Sequence, residues 1–300
     1  FDLPAHFELP AGAGEEARRA ALANWIADKK NPLTWRSIVN RVWQYHFGKA
    51  MVDTSNDFGR MGGLPSHPEL LDWLAATFRD DFEGSWKKLH RLIVTSQTYC
   101  QTSLETAGQE AALRGDADNR LLWRQNRRKL EAEAVHDAIL QVSGKLRDEM
   151  GGPSYQDFVI EKPEHSPHYE YQLHDPEDPA CHRRSIYRFI VRSQQQPFMT
   201  TMDCADPSMR VDKRNESISP LQALSMMNND LTVSMAKHFA ERVEAESADL
   251  ESRVARAFEL ALGRSPAAEE RQALADYAAN QGLANACRLI LNLNEFSFVD

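Results

Sequence analysis

Three hundred residues, 42% of them hydrophobic and 26% charged, suffice for a real core and for one or two domains. A net charge of −9 excludes the basic field that a phosphate-backbone binder needs, so no nucleic-acid partner is expected. No apolar run approaches the ~18 residues of a membrane span, and four scattered cysteines without a C-x-x-C pair exclude zinc ribbons, thioredoxin-like motifs and C-x-x-C-H haem attachment.

The chain opens at Phe1 without an initiator Met, a basic n-region or an apolar h-region, so residues 1–18 read as a linker from an upstream domain. Asn31 caps a helix with Pro32 at its first position, and Trp35, Ile38, Val39, Val42, Trp43 and His46 recur on one face before Gly48 ends it. Ser66-His-Pro-Glu69 reads as a capping box, with Leu70, Leu71, Leu74 and Phe78 following at helical spacing. Trp86 to Tyr99 predicts another helix behind Ser85. Arg127 to Leu146 predicts a long one, closed by Gly151-Gly152-Pro153. Prolines, histidines and aromatics then crowd together. The β-branched run Ser185 to Val191 predicts a strand, with Gln156–Ile160 and His168–Gln172 as partners. Helices resume at Pro220, at Glu251–Leu262, after Ser265-Pro266 with Glu269 near its N3 position, and at Leu283–Asn292. The expected fold is mainly α, a helical domain with a small antiparallel β insertion in the middle. Its parts are residues 19–150, the insertion 151–218, and 219–300 packing on the first as one composite domain.

Several strings carry a family resemblance. They are Asn31-Pro-Leu-Thr34, Val39 to Gly48, Asp57-Phe-Gly59, Ser66 to Ala75, Asn119 to Arg124, Arg128 to Glu133, Arg183-Arg-Ser-Ile-Tyr187, Pro220 to Leu224 and Asn294-Glu-Phe296. Together they resemble the Planctomycete-specific domain one, a C-terminal domain of unknown function, from about Arg19 to Asp300. His136 stands where that pattern usually has Arg, Cys100 replaces a common Arg, and Met202-Asp203 replaces a Phe-Asp pair. The resemblance implies an exported, extracytoplasmic multidomain parent, whose upstream domains are this chain's first partners. It also implies a neighbouring cytochrome c domain that bears haem c, with no cofactor in this chain itself. It implies no substrate.

Polar residues gather at His46, Asp57, His67, Glu69 and Asp72, where carboxylates beside histidine suit acid–base work or a divalent metal. Capping at Glu69 and a hydrogen-bonded core role for His46 explain the same residues structurally. The turn-rich loop before His67 and the helix start behind it lead to a sharper expectation. Arg41, His46, Asp57, His67 and Asp72 would line a polar cleft for an anion, joined by Arg183 or Arg184 as a bidentate grip. The alternation Arg184 to Arg188 equally fits a strand with one wet face. The block Arg127 to Glu133 reads as i,i+4 pairs, Arg127–Glu131 and Lys129–Glu133, or as a buried network that orders the fold. His165, His168, His174 and His182, near Asp175 and Cys181, are the metal candidates, though their spacing fits no zinc pattern. If a disulfide forms, Cys181 and Cys204 are the expected pair.

Two functions compete. One is a scaffolding or partner-binding module of a cytochrome-linked exported protein. The other is an enzyme or binding unit of polysaccharide metabolism, acting on an acidic or sulfated glycan.

Overall fold

The computed structural model describes residues 9, 11–104, 108–162 and 166–299. The fold is mainly helical. The chain divides into two compact units, the first reaching Arg128 and the second running from Lys129 to Val299. His165 lies outside the described residues.

The first unit contains α1 (Glu15–Ala27), α2 (Pro32–Phe47), α3 (Pro68–Asp80), α4 (Trp86–Val94) and the short α5 (Glu110–Gly115). The Asn31 carboxamide accepts from the Leu33 amide at 3.0 Å, with Pro32 behind it, and Gly48 closes α2 at φ +74°. The left-handed φ is one that glycine adopts without a Cβ penalty. Val39, Trp43 and Phe47 of α2 meet Leu71, Leu74 and Phe78 of α3, and Leu89 and Ile93 of α4 complete the core. Burial of each such side chain contributes about 1.5–3 kcal/mol.

One buried amide organises the loop after α2. Asn40 donates to the Val52 carbonyl at 3.0 Å and accepts from the Val52 amide at 2.8 Å, as a paired strand would. Its Nδ2 also reaches Ser55 Oγ at 3.2 Å.

Two helix limits differ from expectation here. Ser66 is not the cap of α3. The Ser66 amide is tethered to the Met51 carbonyl, the cap position falls on His67, and the Ser66 hydroxyl meets His67 Nδ1 at 2.9 Å. Helix α4 stops at Val94 instead of Tyr99, because the Ser96 hydroxyl takes the Ile93 carbonyl and receives the Tyr99 amide. Such side-chain bonds compete with the helical ladder.

The second unit begins extended. Helix α6 spans only Ala132–Val142. The Leu130 amide donates to the Ser297 carbonyl at 2.7 Å, and Lys129 reaches Asp203 and the Ser217 carbonyl, so this stretch has non-helical partners. The expected Lys129–Glu133 helical pair is therefore absent, and Arg127 precedes the helix, so the Arg127–Glu131 spacing is not helical either. Gly144, at φ +77°, closes α6.

The core of this unit is built on α9 (Asp230–Glu246). Met235, Ala236, Phe239, Ala240 and Val243 recur there at helical spacing. They pack with α10 (Leu250–Leu262), α11 (Ala268–Gln281) and α12 (Leu283–Leu291), whose Val254, Phe258, Ala275, Ala286 and Ile290 share the cluster. Helices α7 (Pro197–Thr201), α8 (Pro220–Asn228) and α13 (Asn294–Ser297) complete the helical set among the described residues. Helix α11 starts at Ala268, and its N3 acid is Glu270 instead of Glu269, accepting from the Ala267 amide at 2.7 Å.

The middle of the chain holds a small antiparallel hairpin. Strand β1 (Val159–Glu161) pairs with β2 (His168–Glu170) in the register Val159–Glu170, Ile160–Tyr169 and Glu161–His168. Phe158, Tyr169 and Tyr171 stack beneath it edge to face. Ser185–Val191 is not a strand. Ser185–Tyr187 forms a single 3-10 turn, with bonds from the Tyr187 amide to Arg184 and from the Arg188 amide to Ser185. Only isolated bridges remain, Arg147 with Arg183 and Tyr155 with Arg188. Cys181 and Cys204 are not joined. All four cysteines are free, and burial pushes the Cys181 thiol up to about 12.

Candidate functional site

In the second unit, helix α6 and the 3-10 turn come together around one imidazole. The Ser185 amide and hydroxyl both donate to Asp137 Oδ1 at 2.7 Å, which pins the turn to the helix. Ser185 Oγ also lies 3.0 Å from His136 Nδ1, and Asp137 Oδ1 lies 3.3 Å from the same nitrogen. The assignment that satisfies all three groups has His136 Nδ1–H donating and the Ser185 hydroxyl donating onward to Asp137. The serine proton is thus committed to a carboxylate, so Ser185 orients the ring and is not a nucleophile. His136 Nε2 makes no hydrogen bond among the described residues. Burial works against the Asp137 carboxylate, but donation from His136 and Ser185 outweighs it and holds its pKa below the ordinary range.

His136 lines a cavity of about 220 Å³, together with Tyr155, Asp157, Tyr171, His174 and Gln196. Burial pushes the Asp157 carboxyl up, against the pull of Arg188, whose Nη1 is 3.8 Å from Oδ2. Asp157 Oδ1 and the hydroxyl of Tyr155, a residue only 6% exposed, are buried without hydrogen-bond partners. Burial, with Asp157 as the next contributor, also raises the Tyr155 pKa. A second cavity of about 270 Å³ adjoins the first across Tyr171 and Gln196, and Arg188, Gln194, Gln195 and Arg214 line it. Each volume lies just under the ~300–1,000 Å³ usual for small-molecule sites. An imidazole oriented through one nitrogen, near a carboxyl with a raised pKa, can move protons at a bound ligand.

A family model described as PSD1, protein of unknown function (DUF1553), matches residues 18–278. The chain belongs to the PSD1 family. None of the curated proteins and none of the solved structures matches it.

The residues first singled out in this PSD1 chain each have partners of their own. Arg41 donates to the Ser55 carbonyl at 3.1 Å and to Asn56 Oδ1 at 2.5 Å. His46 meets His90 at 2.7 Å, and burial, then His90 and Arg128, hold its pKa below the ordinary value. Asp57 accepts from the Gly59 amide at 2.8 Å, and Asp72 pairs with Arg36 at 2.5 Å. His67 borders a pocket of about 20 Å³, room for one water.

Arg183 and Arg184 belong to the second unit. Arg183 donates to the Pro153 and Gly151 carbonyls and lies 4.2 Å over the Tyr187 ring, which ties down the loop at 149–153. Among the described residues the Arg184 side chain hydrogen-bonds only Met150 Sδ, at 3.9 Å.

Of the metal candidates, His174 and His182 line the 220 Å³ cavity, but His182 Nε2 is held by the Pro176 carbonyl at 2.8 Å. His168 sits on β2, 4.0 Å from Glu170. Among the described residues no group of three or more His, Cys, Asp or Glu could hold a metal ion, and no helix is long and apolar enough to cross a membrane.

Sequence reading passed over Asp137, Tyr155 and Asp157, and noted His136 only as a departure from a pattern. Asp137 and Ser185 are 48 residues apart, and no local spacing announces such a meeting.

Proposed function

We propose that the second unit binds a small, hydroxyl-rich substrate, the class to which saccharides belong, and that His136 and Asp157 exchange protons with it. One observation carries this reading: His136 is held at Nδ1 by Ser185 and Asp137 while its ring lines the cavity that Asp157 also lines. Tyr155 and Tyr171 supply ring faces. Gln172, Gln196 and Asn229, which bond Glu170, Met199 and Leu231 respectively through one amide atom, each have a second amide atom that suits a hydroxyl group. In this scheme His136 is the base and Asp157, kept protonated more readily by its burial, is the acid. Acidic or sulfated glycans are the substrates to try first.

The test is turnover of a panel of uronate-containing and sulfated oligosaccharides by the full chain. His136→Gln should lower the rate ~100-fold or more, the scale of general acid–base catalysis, and Asp157→Asn should do likewise. Equal rates for both variants and the parent would refute the assignment.

A second reading is a docking role for the first unit within an exported, cytochrome-linked parent. Its support is the satisfied polar set there and the 87% exposure of Met61 and Leu64, with Trp73 and Trp86 half exposed. Under it, Met61→Ser with Leu64→Ser should weaken association with the parent's purified upstream domains at least tenfold. Unchanged association would remove this reading.

A further inference from the structure

Arg188 is the most conspicuous unused donor in the second unit. Its side chain is 8% exposed, yet its guanidinium makes no hydrogen bond among the described residues. Its ion-pair partner, Asp157, stays 3.8 Å away from Nη1, beyond hydrogen-bond reach. None of its three nitrogens is sealed from solvent, in contrast to Nε of Arg124, Arg183 and Arg288. The side chain borders the 270 Å³ cavity, whose wall continues with Gln194, Gln195 and Gln196. Glu133, which Arg214 neutralises, and Asp206 line the same cavity.

The other arginine of that cavity is engaged. Arg214 donates to both oxygens of Glu133, at 3.0 and 3.3 Å. A buried cation normally has a bonded counter-charge, because desolvation otherwise costs several kcal/mol. Arg188, a planar fork of five N–H donors, lines this cavity and makes no side-chain hydrogen bond among the described residues.

We infer that Arg188 is the anion-recognising residue of this domain and grips a singly charged oxyanion, a carboxylate or a sulfate, on the ligand of the adjoining cavity. Gln194, whose amide bonds Tyr169 through both of its atoms, and Arg214 remain structural. This rests on the proposed saccharide-type site and names the acidic group its ligand carries. It also moves the anion grip away from Arg183, whose guanidinium is taken up by backbone carbonyls.

The experiment is an NMR titration of the full chain with sodium glucuronate, glucose 6-sulfate and neutral methyl glucoside. It follows the Arg188 Nε–H and the His136 ring, with calorimetry on Arg188→Gln and Arg188→Lys. Glucuronate or the sulfate should shift the Arg188 Nε–H, and methyl glucoside should leave it unmoved. Arg188→Gln should weaken the acidic sugar at least tenfold without changing methyl glucoside binding. Arg188→Lys, which keeps the charge but not the fork, should recover part of the sulfate affinity and less of the carboxylate affinity. A stronger response to one acidic sugar identifies the oxyanion.

If both neutral and acidic sugars shift His136 while the Arg188 signal stays still and the variants bind equally, the inference is wrong and the saccharide site stands. If the acidic sugars shift Arg188 but nothing moves His136, the anion grip stands and the acid–base reading falls. If no sugar moves either group, both are wrong. The wild-type titration decides these outcomes even if a variant fails to fold.

Discussion

Arg41 in the first unit and Arg188 in the second are both largely buried, and they are satisfied very differently. Arg41 has the Ser55 carbonyl and Asn56 within bonding distance, and the residues near it in sequence are likewise bonded to their own loop or helix. Arg188 has an ion pair with Asp157 at 3.8 Å, no side-chain hydrogen bond among the described residues, and a cavity beside it. The contrast teaches that a dense polar sequence motif and a binding site are separate things. A polar group that has found a protein partner is part of the fold, and one left without a partner beside a cavity is available to a ligand. The tryptophans make the two regions separately measurable. All six (Trp25, Trp35, Trp43, Trp73, Trp86 and Trp123) precede Lys129, so tryptophan fluorescence reports the first unit, whereas far-ultraviolet circular dichroism reports helices of both.

The largest expected effect lies in the second unit. The Lys129 side chain is 5% exposed and bonds Asp203 at 2.7 Å, while Asp203 is also held by Ser217 and Gln222. Lys129→Met leaves that carboxylate without its cation and should cost about 3 kcal/mol, at the low end for a broken buried pair. Chemical denaturation followed by circular dichroism should show an early transition. A midpoint equal to the parent's would mean that Asp203 is solvated and the network is not structural.

Next comes Asn40 in the first unit. Asn40→Ala leaves the Val52 amide and carbonyl unpaired in a buried place, so about 2 kcal/mol should be lost, on the scale of an unsatisfied buried group. Tryptophan fluorescence is the readout, and an unshifted transition would separate this loop from the core. Arg41→Ala should cost roughly 1 kcal/mol, the worth of its hydrogen bonds, and should leave binding of acidic sugars untouched. Weaker sugar binding by Arg41→Ala would instead restore the polar cleft first expected around Arg41, Asp57 and His67.

The smallest effect is a pH dependence, and its sign is the informative part. Burial raises the Asp157 pKa in the folded chain, so the folded state holds that proton to higher pH than the unfolded one. The difference in bound protons makes stability fall as pH rises from the unfolded carboxylate value through the folded one. Asp157→Asn removes that slope, so its stability relative to the parent should climb across this window and then level off. A parent-to-variant difference that is flat with pH would place Asp157 in an ordinary solvated setting and weaken its assignment as the acid.

Much of the architecture was legible in the amino-acid sequence alone, because local chemistry carries it. Asn31-Pro32 and Gly48 bound α2 as their types require, and the apolar rows of α3, α6 and α12 mark buried faces by spacing. Misreadings occurred where a distant group outbid the local one. Lys129 leaves the helical path for Asp203, Ser66 is tethered to Met51, and the Ser185 amide is taken by Asp137, which turns an expected strand into a 3-10 turn. The two adjoining cavities are the extreme case. His136, Tyr155 and Asp157 on one and Arg188 on the other share no motif. What marks them is which hydrogen bonds are made and which are missing, a property that exists only after residues far apart in the chain have been packed together.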